Sequence, residues 1–200
     1  NIQFKWKWSK LYIYIMRIIS GKNRGQIINI PKKFKLRPTT DRSKEGIFNI
    51  ISNYFNYKNL IVLDLFSGTG NISYEFASRG TKNITVVDSN TKHLKFIKSQ
   101  SEKFNFKFNI IKSDVFRYLR KCSNDNCNYD IIFSDPPYNL DLKKYETIIN
   151  IIFEFKLLKT DGIIILEHSN KIELDSIKTF YMKRKYGSCF FSFFKNINIW

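Results

Sequence analysis

The chain has 200 residues, 43% of them hydrophobic, which is enough for one domain with a continuous core and too few for two full-sized ones. Thirty-four Lys and Arg stand against 17 Asp and Glu, a formal charge of +17 that favours polyanionic partners. No apolar run reaches the roughly 18 residues that cross a bilayer, and Leu11 to Ile19 is interrupted by Arg17, so neither a membrane span nor a secretory leader is expected.

Part of the lysine accompanies an abundance of Asn, Ile, Phe and Tyr, whose codons are rich in A and T, so the distribution of charge says more than its total. Residues 1–48 hold twelve Lys and Arg against two Asp and Glu, which predicts a basic N-terminal lobe. Cys122, Cys127 and Cys189 form no CxxC pair and have no nearby His to complete a zinc site. Free thiols in a reducing, cytoplasmic setting are expected.

In chain order, residues 1–15 precede Met16, which opens a segment that reads as a natural start; they are set apart as an extension without a role. Arg17 to Ile30 mixes apolar and basic residues around Gly21 and Gly25 and predicts a short hairpin. Pro31 to Pro38 reads as a basic, irregular connector. Thr39 and Thr40 offer hydroxyls at a helix start, and Ile47, Phe48, Ile51 and Phe55 recur at helical spacing, so an amphipathic helix is predicted over Asp41 to Tyr54.

From Leu60 the pattern changes to short β-rich runs, each followed by helical periodicity. Strands are predicted over Leu60–Leu65, Asn83–Val87, Lys107–Ile111, Asp130–Ser134 and Gly162–Glu167, with helices near Asn71–Ser78, Thr91–Lys103, Val115–Lys121 and Lys143–Phe155. Repeated βαβ units of this kind imply an α/β fold with a mostly parallel, twisted, Rossmann-like sheet. Ile177–Lys185 and Cys189–Phe194, separated by Tyr186-Gly187-Ser188, break the alternation and predict an antiparallel C-terminal hairpin at one sheet edge. The expected organisation is a basic hairpin and helix over residues 16–58, then a catalytic domain over residues 59–200.

The first chemistry-bearing motif is Val62-Leu-Asp-Leu-Phe-Ser-Gly-Thr-Gly-Asn71, a buried strand running into a glycine turn and a helix. Gly68 and Gly70 let backbone pass close to a ligand, because a Cβ there would occupy the space a cofactor needs. Taken alone the motif serves dinucleotides as well. Asp64 separates the cases: a carboxylate repels a pyrophosphate but favours the sulfonium and ammonium of S-adenosylmethionine. Asp88 ends the second strand, where its oxygens can accept from both ribose hydroxyls. Asp114 follows the third strand and is placed beside the adenine amino group. Asp64, Phe66, Gly68, Thr69, Gly70, Asp88 and Asp114 form the expected cofactor-binding set.

The second motif is Ser134-Asp135-Pro136-Pro137-Tyr138, at the end of the fourth strand. Consecutive prolines lack N–H donors and fix φ near −65°, so they stiffen a bend directly after a buried strand. An exocyclic base amine is a poor nucleophile because its lone pair is delocalised into the ring. Asp135 and a carbonyl of the turn, with that of Pro136 the first candidate, are expected to accept its two N–H bonds and aim the lone pair at a methyl group. Tyr138 would stack on an extruded base. Asp135, Pro136, Pro137 and Tyr138 are therefore the expected catalytic residues. No metal is expected, since a sulfonium leaving group is already activated. His93 reads as a solvated helix residue, and His168 follows the fifth strand, where packing is as good a role as any other.

These motifs, together with Met16-Arg-Ile-Ile-Ser-Gly-Lys-Asn-Arg-Gly25, Leu36-Arg-Pro-Thr-Thr-Asp-Arg42, Glu45 and Phe48-Asn49, resemble the RsmD-type family of 16S ribosomal RNA guanine-N2 methyltransferases, within the class I methyltransferases. The likeness runs from Met16 to about Phe194. It implies S-adenosyl-L-methionine as cofactor, a guanine of 16S rRNA in an assembling small ribosomal subunit as substrate, and a monomeric enzyme. It also implies that Arg37 to Arg42 lies across the cofactor pocket as an RNA-facing rim. A Thr-Thr helix start flanked by arginines is itself a reasonable phosphate grip, so Arg24, Arg37, Thr40 and Arg42 are the expected RNA contacts. Asp88 departs from the family, many of whose members carry Glu there. Two rival readings share parts of the pattern: an adenine-N6 DNA or RNA methyltransferase, which ordinarily needs a sizeable target-reading segment that this chain lacks, and a catalytically silent RNA-binding relative.

Overall fold

The computed structural model describes residues 14–31, 34, 39–125 and 127–196. From Ile61 onward strand and helix alternate: β3 (Ile61–Leu65), α2 (Asn71–Ser78), β4 (Asn83–Asp88), α3 (Thr91–Lys103), β5 (Phe108–Lys112), α4 (Val115–Asn124), β6 (Tyr129–Ser134), α5 (Leu142–Glu154) and β7 (Leu158–Ser169). Helix starts are set by short polar side chains, as Asn90, Asp114 and Asp141 accept from the backbone N–H groups of Lys92, Arg117 and Lys144. These spans match the predicted elements to within a few residues, except that β7 begins four residues early.

Two more strands, β8 (Phe180–Tyr186) and β9 (Cys189–Lys195), complete a seven-stranded sheet in the order β5-β4-β3-β6-β7-β9-β8. The five strands β3 to β7 are parallel, and β9 runs antiparallel to both of its neighbours. The terminal hairpin is at an edge as expected, but its last strand is inserted inward. Composition accounts for this: Phe191, Phe193 and Phe194 of β9 are fully buried, whereas β8 carries Lys183, Arg184 and Lys185, which suit an edge that must not pair further.

Successive strand residues face opposite layers, as a period of two requires. Leu63, Leu65, Ile132 and Ile164 join α4 and α5 in one core, while Val62, Ile131, Phe133 and Ile165 join α2 and α3 in the other. The predicted amphipathic helix forms as α1 (Asp41–Tyr54), and its Ile47, Phe48 and Ile51 belong to that second core. Tyr186 of β8 lies so close over Gly46 that a Cβ there would sit 2.3 Å from the ring.

The N-terminal hairpin also forms, from β1 (Tyr14–Arg17) and β2 (Ile27–Ile30), but its first strand starts three residues before the predicted span and takes in Tyr14 and Ile15 of the segment set apart as an extension, whose residues 1–13 lie outside those described. Its turn is fastened to the last residues of α2. The N–H groups of Lys22 and Asn23 donate to the Ser78 carbonyl and hydroxyl at 2.7 and 3.0 Å. Fully buried Glu75 accepts from Ile19 N–H, Ser20 N–H and Arg79 Nε at 2.8, 3.0 and 2.9 Å. Lys44, also buried, donates to the Arg17 carbonyl, and burial lowers its pKa despite nearby Glu75 and Asp41. Part of the N-terminal charge is therefore engaged inside the protein.

Gly21 has φ +84°, and a Cβ on it would fall 1.9 Å from the Ser78 carbonyl oxygen. Gly21→Ala is expected to destabilise the fold by about 2–4 kcal/mol, since both the backbone and the contact forbid it. Urea unfolding of the two proteins measures the difference; equal midpoints would show the hairpin to be loosely held.

Candidate active site

The order β4-β3-β6 puts three strand ends side by side, at the place where successive crossovers leave in opposite directions and a crevice opens. A cavity of about 490 Å³ lies there. Asp64 from β3, Asp88 from β4 and Asp135 after β6 all line it, with Phe66, Gly68 and Thr69 of the glycine turn and Pro136, Pro137 and Tyr138. These three carboxylates are far apart in sequence; the parallel sheet gathers them.

Asp64 is 2% exposed. Ser73 Oγ donates to its Oδ2, but burial outweighs this and, with the charge of Asp88, pushes the carboxyl up to about 7. A desolvated acid facing a cavity is a receptor for positive charge, because a cation beside it restores the ionised form.

The turn after Asp64 is held by backbone geometry. Phe66, Gly68 and Gly70 all have positive φ, 54°, 53° and 82°, and Gly70 N–H donates to the Ser67 carbonyl at 2.7 Å. The two glycines differ in purpose. Gly68 lines the cavity. A Cβ at Gly70 would instead meet Tyr74 and Ile97 at 3.0 and 3.1 Å. Gly70 is thus required by packing and by its left-handed place at the start of α2, and it is Gly68, not Gly70, that lines the cavity.

Asp88 reaches the cavity with its oxygens already engaged. Gly68 N–H donates to Oδ2 at 2.9 Å, Asn90 N–H to Oδ1 at 2.7 Å, and His93 Nδ1 lies 3.2 Å from Oδ2. His93 is therefore not the solvated helix residue predicted: it is 9% exposed, lines the cavity, and lies edge-on to Phe34. Asp114 caps α4, accepting from Arg117 N–H at 3.0 Å, and is exposed; it is not among the residues lining this cavity.

The Asp135-Pro-Pro-Tyr138 turn is anchored on both sides. Ser134 pairs with Leu65 of β3 and Leu166 of β7, and Asp135 N–H donates to the Leu65 carbonyl at 3.4 Å. Pro136 is buried, and the Pro137 carbonyl accepts from Leu140 N–H at 2.9 Å. Asp135 is half-buried and lines the cavity, and burial first, then Glu167 and Asp64, hold its carboxyl well above the usual range. Tyr138 stands at the mouth, 51% exposed, with its hydroxyl 3.4 Å from Glu167 Oε1 and 3.2 Å from Cys189 Sγ.

The expected RNA contacts are dispersed. Arg37 lies outside the described residues. Thr40 caps α1 by accepting from Ser43 N–H at 3.2 Å, and Arg42 is exposed two residues further on. Arg24 sits in the hairpin turn, which is fixed to the opposite end of α2 from the cavity, roughly 12 Å away at 1.5 Å per residue. Residues outside the expected cofactor-binding and catalytic sets also meet here. Thr39, Asn71 and Asn90 line the cavity, and Glu167 is 3% exposed beside it. Their positions, at helix starts and at the carboxyl end of a strand, were the available signal. His168 packs between Tyr145 and Phe190, with Ser192 Oγ 2.8 Å from Nε2.

A model of the family described as Conserved hypothetical protein 95 matches residues 16–195. The chain belongs to this family. It is 32% identical over 186 residues to ribosomal RNA small subunit methyltransferase D of Buchnera aphidicola, covering 92% of each chain, so the resemblance drawn from the motifs is borne out. A hypothetical protein of Thermus thermophilus superposes with a TM-score of 0.79 at 21% identity, covering 90% of this chain and 99% of that one. The 16S rRNA N2 G1207 methyltransferase RsmC of T. thermophilus, solved with AdoMet and guanosine, superposes with a TM-score of 0.70 at 17% identity, covering 92% of this chain and 50% of that one. Both likenesses are of fold, the class I methyltransferase fold that the family resemblance implied.

Proposed function

We propose that this chain methylates the exocyclic N2 amino group of a guanine in 16S ribosomal RNA, using S-adenosyl-L-methionine. The observation that carries the reading is the convergence of buried Asp64 and the proline-stiffened Asp135 turn on one cavity, with an exposed aromatic ring at its mouth. The family relative named as a ribosomal RNA small subunit methyltransferase supports the choice of RNA.

The residues present fit the cofactor. Asp64 would hold its cationic end, and Asp88 with Asn90 and His93 would face its ribose. When bound, S-adenosylmethionine supplies a methyl group already activated as a sulfonium. The protein supplies orientation and a proton acceptor. Asp135 and the Pro136 carbonyl accept the two N–H bonds of the amine and so turn its lone pair toward the methyl. Burial that raises the Asp135 pKa also makes its ionised form a stronger base, suited to taking the proton that the nitrogen must shed. The Tyr138 ring, free on its outer face, stacks on the extruded base.

Tyr138→Ala is expected to weaken substrate binding by about 1–3 kcal/mol, the usual worth of a base-aromatic stack. Steady-state kinetics would show it as a raised KM for RNA, and an unchanged KM would remove the ring from the interface. Arg42→Ala is expected to weaken RNA binding and reduce the salt slope of log K by about one. Filter binding across a salt series measures this, and an unaltered slope would exclude a phosphate contact.

The direct test is transfer of labelled methyl from S-adenosylmethionine to immature 30S particles, naked 16S RNA and DNA, followed by nucleoside analysis. N2-methylguanosine is the expected product. N6-methyladenosine or its deoxy counterpart would replace this reading with the adenine-N6 one, and no transfer together with no cofactor binding would favour the silent relative.

A further inference from the structure

We propose that Glu167 is a positioning residue for methyl transfer, joining the catalytic turn to Thr39, just ahead of α1, and, through it, to the cofactor turn. The inference rests on the functional reading above, in which the Asp135–Tyr138 turn receives the base. Glu167 lies at the carboxyl end of β7, next to Leu166, which pairs with Ser134, so it is placed beside Asp135. Its carboxylate takes a hydroxyl on each oxygen: Thr39 Oγ1 donates to Oε2 at 3.0 Å and Tyr138 OH to Oε1 at 3.4 Å.

Thr39 continues the chain, since its carbonyl accepts from Asn71 Nδ2 at 2.9 Å, and Asn71 is the first residue of α2 after the glycine turn. A buried acid thus fixes the ring expected to hold the base, while Thr39, which it also binds, is tied to the cofactor end. A carboxylate that only filled space would not need one hydroxyl from each side of the mouth. Nor would it need to sit where its charge acts on Asp135.

Asp135 is faced by Glu167 from β7, Asp64 from β3, Tyr145 from α5 and Tyr138 from its own turn. Of these, Glu167 is the nearest in effect after burial itself, and its charge raises the Asp135 pKa. Removing that charge must shift the ionisation of Asp135 toward lower pH.

The experiment compares wild-type protein with Glu167→Gln in methyl transfer to 30S particles across pH 5.5 to 9, with S-adenosylmethionine affinity measured alongside. The variant is expected to lose about three- to tenfold in kcat at the plateau and to bind cofactor within about threefold of wild type. The acid limb of its kcat profile should move down by half a pH unit or more. A limb that stays in place overturns the inference, because lost packing alone would lower rate and stability without moving it. Should Glu167→Gln fail to fold, Thr39→Val and Tyr138→Phe cut the two hydroxyl bonds from the surface side. Each is expected to lower kcat/KM about three- to tenfold, and wild-type values for both would equally overturn it. Asp135→Ala serves as the control for the underlying reading. If it is inactive while Glu167→Gln behaves as wild type, this inference alone fails; if it is fully active, the functional reading fails.

Discussion

Replacing Asp135 by alanine is expected to lower the rate of methyl transfer by at least about a hundredfold while changing the affinity for S-adenosylmethionine by less than about threefold. The asymmetry follows from position. Asp135 faces the cavity from the β6 side, behind two prolines, and the hydrogen bonds it makes to the amine strengthen as positive charge develops on nitrogen. The cofactor's cationic end is assigned to a different carboxylate, Asp64 on β3. Single-turnover kinetics with saturating cofactor, paired with calorimetric titration, separates the two effects. A variant that kept more than about a tenth of the wild-type rate would show that Asp135 does not orient the amine.

Cofactor affinity is expected to depend steeply on pH, and Asp64→Asn to remove that dependence. In the cofactor-free protein the Asp64 carboxyl is pushed up to about 7 by burial and by Asp88, so at pH 6 it is mostly protonated and neutral. Binding a cation requires the carboxylate. Affinity should therefore fall by about tenfold for each pH unit below 7, with a proton released on binding. At pH 8 the Asn variant should bind at least about a hundredfold more weakly, and calorimetry from pH 5.5 to 8.5 would show its flat profile. A sloping profile in Asp64→Asn would assign the linkage to another group.

The same shift has the opposite effect on folding. A carboxyl whose folded pKa is raised contributes stability that is fully present below its unfolded value near 3.8 and is lost as pH rises through about 7. The cofactor-free Asn variant should accordingly melt above wild type at pH 8 and close to it near pH 4. The protein holds an uncomfortable acid until its ligand arrives, which is what a preorganised cation site must do.

The strand and helix order was legible because each element carries its own period. Leu63 and Leu65 alternate with Val62 and Asp64, and Ile47, Phe48 and Ile51 recur at helical spacing, whatever lies around them. The two turns that bear chemistry were legible for a related reason: glycine and proline act through their own backbone, so GTG and DPP announce a left-handed turn and a stiff bend locally. Glu167 was not legible. A glutamate ending an apolar strand reads as the place where the strand meets water, and nothing near it in sequence reveals Thr39 or Tyr138. His93 misled for the same reason, since a histidine in a lysine-rich helix looks solvated until Asp88 and Phe34 are brought against it.

Sequence alone, then, determined the alternating elements, the family, and the glycine and proline corners, because those depend on residues within a few positions of one another. Tertiary structure decided which strand ends are neighbours, that β9 and not β8 lies against β7, that Gly70 serves packing while Gly68 serves the cavity, and that Asp64 and Asp135 titrate abnormally. Adjacency, dielectric surroundings and the summed charge of neighbours are set by chain segments far apart in sequence, and only the folded sheet brings those together.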